Sequence, residues 1–287
     1  MLKIFLSFLF IGSAFSQQNQ EEYKKMVEQL MKMKAENQTS SQNQFEALIK
    51  KTGGSVWVKS SEDSEFKSID DSGYYPLDPD DTVKTGSDGY AEIYFSDRGM
   101  IKLSRNSELE IRTLEQDDSS VFLKIGALVA KFESKVKKKL FFKVNTPAAV
   151  CAVRGTEFAA EHSAFNKESS FGVFDEGELA VSSLDKEGKP SEEIKVEKNQ
   201  EIVLSPQIKR LKTVRMSRLA KHKNLMAEVR KRFPLYKKRW RPMDFQRREK
   251  MRAALLKRKI KDSQEEETSA TDKKKPLNKH NRKKRGV

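Results

Sequence analysis

The sequence of 287 residues holds 57 Lys and Arg against 42 Asp and Glu, a net charge of +15, with 36% hydrophobic and 34% charged residues. So polar a composition buries one ordinary core and excludes a protein folded throughout its length, so part of it must be solvated. A single cysteine, Cys151, excludes an intrachain disulfide, and three histidines are too few for a metal cluster or a nucleophile and base at recognisable spacing.

The first element is a leader. Lys3 supplies a positive start, Ile4 to Phe15 an apolar run, and Ala14-Phe15-Ser16 a small-x-small site, which predicts a secretory signal over residues 1–16 cleaved before Gln17. No later stretch reaches the roughly 18 apolar residues of a spanning helix, so the expected product is exported and soluble or peripherally bound, in the periplasm or secreted. An uncleaved N-terminal anchor is the alternative. Residues 17–52 follow as two short amphipathic helices. Tyr23, Met26, Val27, Leu30 and Met33 recur at helical spacing, and Phe45, Leu48 and Ile49 do so after a break at Asn37 to Asn43, until Gly53 and Gly54 stop the second helix.

Residues 53–205 read as all-β. Ala91, Ile93 and Phe95 share one face of a strand, as do Ile101 and Leu103, then Leu109 and Ile111. Turn signals stand between such runs at Gly86-Ser-Asp-Gly89, Asp97-Arg-Gly99 and Asp185-Lys-Glu-Gly188. A faint repeat, glycine followed by alternating apolar residues, recurs at Gly54-Ser-Val-Trp-Val58, Gly126-Ala-Leu-Val-Ala130 and Gly177-Glu-Leu-Ala-Val181. The apolar run from Phe142 to Phe158 divides into two short strands, with Thr146-Pro147 and Gly155 at the turns and Cys151 as a small buried hydrophobe. The predicted fold is a two-layer sandwich or a short solenoid-like β-roll, with no long helix between Gly54 and Ser205.

Four pieces of this region together resemble the FecR-domain family of bacterial cell-envelope proteins. They are Gly54 to Val58; Asp81 to Gly86 with Tyr90 to Gly99 and Ile101 to Ile111; Thr146-Pro147 with Val153-Arg-Gly-Thr-Glu-Phe158; and Val173 to Val181. FecR-like domains occur in transmembrane regulators of iron-transport sigma factors and in stand-alone secreted proteins. The regulator branch adds a cytoplasmic anti-sigma segment and a spanning helix, and neither is read in this sequence, so the resemblance implies a stand-alone exported FecR-like protein.

Catalysis finds little support. His162, His222 and His280 are scattered, and the glycines form no phosphate-binding loop. Asp175 and Glu176 are neighbours that a strand would point to opposite faces, and they read as turn residues. The expectation is therefore no enzyme, no cofactor and no metal. Arg154 and Glu157 flank a glycine turn inside the most apolar region, where an unpaired charge is costly. Each should pair with a neighbour or cap backbone groups; the alternative is that the turn lines a ligand or partner groove.

The remainder is a basic, partly helical arm over residues 206–261 and a disordered basic tail over 262–287. From Pro206 to Val287 there are 30 Lys and Arg against 8 Asp and Glu, a net of +22, so residues 1–205 have a net of −7. Leu211, Val214, Leu219, Leu225, Met226 and Val229 form an apolar stripe, with breaks expected at Phe233-Pro234 and Trp240-Arg-Pro242 before helical spacing resumes from Phe245 to Ile260. Bases among Phe233, Tyr236, Trp240 and Phe245 suit an anionic lipid surface, an acidic envelope polymer or an acidic protein, and export disfavours nucleic acid. The arm folding back on its own acidic domain is the competing reading. Arg154, Glu157, Phe233, Tyr236, Trp240, Arg241, Arg247 and Arg248 are the candidate partner-binding residues. The functional expectation is a non-enzymatic binding or scaffolding protein of the envelope, held by its arm, with an envelope sensor as the alternative.

Overall fold

A computed structural model describes residues 45–257, apart from 72, 116–117, 134–141, 186, 206–207 and 209. The expected leader, the first amphipathic helix and the disordered tail lie outside the described residues. Seventeen strands are described. In order along the sequence they are β1 (Ala47–Gly53), β2 (Val56–Lys59), β3 (Lys67–Ser68), β4 (Tyr75–Leu77), β5 (Thr82–Thr85), β6 (Tyr90–Phe95), β7 (Gly99–Leu103), β8 (Glu108–Leu114) and β9 (Ser119–Phe132). After them come β10 (Phe142–Thr146), β11 (Ala149–Arg154), β12 (Glu157–Ser163), β13 (Glu168–Val173), β14 (Glu178–Ser183), β15 (Ile194–Val196), β16 (Gln200–Leu204) and β17 (Val214–Arg215). A short 3₁₀ turn, Leu219–His222, then leads into α1 (Lys223–Arg239), and α2 is Phe245–Lys257.

The strands form two layers that share β9. One sheet runs β4-β1-β6-β7-β9-β12-β13-β16-β17, all antiparallel, using the second half of β9. The other runs β3-β2-β5-β8-β9-β10-β11-β14-β15 through the first half of β9, with β9 and β10 parallel. The change of layer falls at Gly126, at φ 97°, where an added Cβ would sit 2.1 Å from Ser107 Oγ. Gly54 and Gly177, the other two copies of the repeat, also have positive φ and change layer in the opposite direction, from the first sheet to the second.

One core fills the space between the layers. Ala91, Ile93, Phe95, Ile101, Leu103, Phe158 and Phe171 face Val83, Leu109, Ile111, Val121, Cys151, Val153 and Val181, and the alternation expected of β6, β7 and β8 is the inward face. Cys151 is fully buried there, and burial pushes its thiol well above the ordinary range. His162 also points inward. Its Nδ1 lies 2.9 Å from Ser169 Oγ, which donates to Thr146 Oγ1 at 2.8 Å and so joins the two layers.

Two expectations need correction. The second amphipathic helix, placed on Phe45, Leu48 and Ile49, is instead β1, held between β4 and β6. Ala47, Leu48 and Ile49 are all buried, so this strand lacks the alternation that marks a half-buried one, and its short apolar run imitated a helical face. Nor does Pro234 break the arm, because α1 continues through it to Arg239. The ring costs a backbone hydrogen bond, about 3 kcal/mol, and the burial of Met226, Val229 and Phe233 along one face of the same helix offsets it. The break does occur at Trp240, whose backbone is extended.

The outer face of the first sheet is covered. Tyr94, Met100, Val129, Ala159 and Phe174 form a second apolar cluster with Leu219, Met226, Val229 and Phe233, so the arm is a third layer over this sheet.

Candidate functional site

The site is built where the run from Phe142 to Phe158 turns. Gly155, at φ 61°, turns the backbone from β11 of the second sheet into β12 of the first, and Gly177, at φ 84°, turns it from β13 of the first into β14 of the second. The two corners are packed backbone to backbone, for a Cβ on Gly177 would lie 2.3 Å from the Gly155 carbonyl oxygen. Thr156 ties them together, its Oγ1 accepting from the Glu178 N–H at 3.2 Å and donating to the Glu178 carbonyl at 2.7 Å. Beside these corners opens a groove of about 770 Å³, lined by Lys131, Phe132 and Glu133 from the end of β9, by Arg154 and Gly155, and by Glu176, Gly177 and Glu178.

Arg154 is exposed in this groove and makes no ion pair among the described residues. Glu157, three positions on, is 2% exposed and fully engaged. It accepts from Lys131 Nζ at 2.8 Å and from Arg230 Nε of α1 at 2.9 Å. Burial alone would raise its pKa, but the hydrogen bonds from Arg230 and Lys131 outweigh it and hold the carboxyl below its ordinary value. Asp175 pairs with Arg230, and Glu176 with Lys131. Each of these two adjacent carboxylates is thus held by a cation, which fits the turn role.

The Glu157 pair is one of a series along the outer face of the first sheet. Glu92 of β6, fully buried, accepts from Arg232 Nη1 at 2.9 Å and from Tyr94 Oη at 2.7 Å, and lies 3.5 Å from Lys102, which also binds Glu228. Glu161 of β12 meets Lys221 at 2.8 Å and His222 at 2.6 Å. Glu201 of β16 accepts the backbone N–H groups of Arg218 and Leu219 at 3.1 and 2.9 Å, which caps the entrance to the arm. Lys237 reaches Glu133 at the groove. Farther on, Arg252 of α2 holds Asp78 and the fully buried Asp81, each at 2.7 Å, and Arg248 pairs with Asp78.

The eight candidate residues therefore do not form one surface. Arg154 faces the groove, and Glu157 joins the β-domain to the arm. Phe233 is buried, and Tyr236 is half-buried with its ring stacked on Tyr94 at 4.0 Å. Trp240 ends α1 half-buried. Arg241 is exposed and donates to the Trp240 carbonyl at 2.7 Å. Arg247 is exposed, and its backbone N–H donates to Asp244 at 2.9 Å, while the Arg248 side chain is folded onto the Leu77 carbonyl and Asp78. Reading the sequence missed the acids that receive the arm, Glu92, Glu161, Glu201, Asp78 and Asp81. Their signal was the opposed charge of the two parts and the outward register of Glu92, Glu157 and Glu161 in otherwise apolar strands.

Residues 81–177 match the family model described as FecR protein, inside the region that bears the sequence resemblance. Two crystal structures of a proposed anti-sigma factor from Parabacteroides distasonis, at 2.50 and 1.65 Å resolution, are similar at 14% identity and a TM-score of 0.42. The alignments cover 50% of this protein and 63% and 64% of theirs, so it spans under two thirds of those structures. No curated protein matches. Among the described residues no helix is long and apolar enough to cross a membrane.

Proposed function

We propose, for a protein with a FecR domain over residues 81–177, a non-enzymatic binding module of the bacterial cell envelope that serves envelope signalling by recognising another envelope protein. The observation that carries this reading is the contrast at the Gly155 corner. Glu157, Asp175 and Glu176 are all held in ion pairs, while Arg154 stands exposed in an open groove at a glycine turn. Recognition needs that combination of a fixed frame and an available polar group.

The module is exported and rests on an anionic lipid or polymer surface through its arm. Folding of the arm onto the β-domain changes which residues make that attachment. Phe233 and Tyr236 face the sheet, whereas Lys231, Leu235 and Lys238 lie on the opposite side of α1 and are exposed together with Arg239 and Arg241. Clustered bases near a charged surface contribute on the order of 1 kcal/mol each.

The test is fractionation of the full-length protein, tagged and natively expressed, against a variant with Lys231→Glu, Lys238→Glu and Arg239→Glu. The wild type should sediment with the envelope, leave it in high salt and have an intact mass that begins at Gln17; the variant should be soluble at low salt. Equal sedimentation of both, or release by detergent alone with Met1 retained, overturns the attachment by the arm. Deleting the arm is not an equivalent test, since it would uncover Tyr94, Met100 and Val129 and take Arg232 from Glu92 and Arg230 from Glu157.

A further inference from the structure

We infer that the groove at the Gly155 corner receives a carboxylate of a protein partner, either an acidic side group or a terminal carboxylate, on the guanidinium of Arg154. The inference deepens the recognition reading above and rests on it.

Each acid of the lining already has a cation. Glu133 is held by Lys237, Glu176 by Lys131 at 3.2 Å and Glu178 by Lys195 at 2.6 Å, and Lys131 is shared with Glu157. Arg154 is the one base of the lining that no carboxylate of the described residues holds. Its cross-strand partner is Glu178, directly opposite in the β11–β14 register, yet the Glu178 carboxylate turns the other way, to Lys195. The fork of Arg154 is therefore available without breaking an internal pair.

The chemistry follows from the fork. A guanidinium presents parallel N–H groups that match the two oxygens of a carboxylate, a geometry that an ammonium lacks. The frame is stiff, because Gly155 and Gly177 touch through their backbones and Thr156 bridges them, so ordering the corner adds little to the cost of binding. The groove volume, about 770 Å³, lies within the usual range of ligand sites, and its walls are the ends of strands, which suits a short extended segment.

The experiment records the arginine Nε–Hε resonances of the full-length ¹⁵N-labelled protein during titration with three pentapeptides: acetyl-Ala-Val-Glu-Val-Ala-amide, its Gln counterpart, and the Gln peptide with a free C-terminal carboxylate. The Arg154 resonance, assigned by its loss in Arg154→Gln, should shift saturably with one or both carboxylate peptides and not with the Gln amide. Which of the two acts separates an acidic side group from a peptide end. Arg154→Gln should weaken binding at least tenfold, and Arg154→Lys should weaken it less, with the backbone amide spectrum otherwise unchanged. Equal shifts from all three peptides overturn the carboxylate inference while leaving a peptide groove; no saturable shift from any overturns both the inference and the groove as a recognition site.

Discussion

Glu157 on β12 and Arg230 on α1 lie 73 positions apart and meet through a hydrogen bond of 2.9 Å from Nε to Oε2, so the corner at Gly155 and the C-terminal arm are one electrostatic unit. Lys131 completes it from β9 at 2.8 Å. A carboxylate this buried is tolerated only because two cations reach it.

Replacing Arg230 with Ala should therefore cost about 1–3 kcal/mol, below the full penalty for orphaning a buried charge because Lys131 stays and the guanidinium is partly exposed. The Glu157 pKa is lowered in the folded state, so its contribution is complete above the unfolded value of 4.5 and is lost as pH falls through the folded one. The gap between wild type and Arg230→Ala should close from about pH 5 to about pH 3, read as urea midpoints at constant slope. A gap of the same size throughout would show that the pair owes nothing to ionisation.

Gly177→Ala should destabilise by more than about 2 kcal/mol, because it forces a side chain to φ 84° and drives Cβ to 2.3 Å from one backbone atom, the Gly155 oxygen. Gly73→Ala is the control, since nothing lies within 4 Å of its Cβ, and it should stay within about 0.5 kcal/mol. Thermal unfolding of the two variants would decide; equal melting temperatures would mean the corners separate at no cost.

His162 predicts a second, milder acid sensitivity. Burial lowers its pKa below 6.5, so the unfolded state binds the proton more readily, and stability falls as pH drops through 6.5 towards the folded value. His162→Gln should flatten the dependence of the urea midpoint on pH between about 7 and about 5. A slope unchanged by the substitution would assign the sensitivity to another group.

Most of the β-domain was legible because the residue types of its strands alternate, even where both faces are buried, as in β6. Ala91, Ile93 and Phe95 alternate with residues of another kind, and Gly54, Gly126, Gly155, Gly177 and Gly188 stand where the backbone has positive φ. β1 was not legible, since Ala47, Leu48 and Ile49 are apolar in succession and show no period of two. The arm was half legible. Its apolar stripe at Leu219, Met226 and Val229 was visible, but its destination was not, because nothing local tells which segment covers Tyr94, Met100, Val129 and Ala159 on the outward register of the sheet. Assigning Phe233 and Tyr236 to an outside surface followed from treating the breaker Pro234 by propensity, when packing decided. For Arg154 and Glu157 the expectation of one neighbour each fitted Glu157; that Arg154 is left over depends on where Glu178 turns, which no local pattern reveals.

The path of the arm has a further consequence. It is capped by Glu201 beside β17, at one border of the first sheet, crosses β12, β9 and β7, and ends with Arg248 and Arg252 on the carbonyl oxygens of Leu77 and Pro76 in β4, at the other border. Sheets with open borders recruit strands from other molecules and grow into aggregates. Here one border ends in a strand of two residues, and at the other the carbonyls of Pro76 and Leu77 in β4 are occupied by arginines, so a segment of the same polypeptide guards a sheet of nine strands against extension.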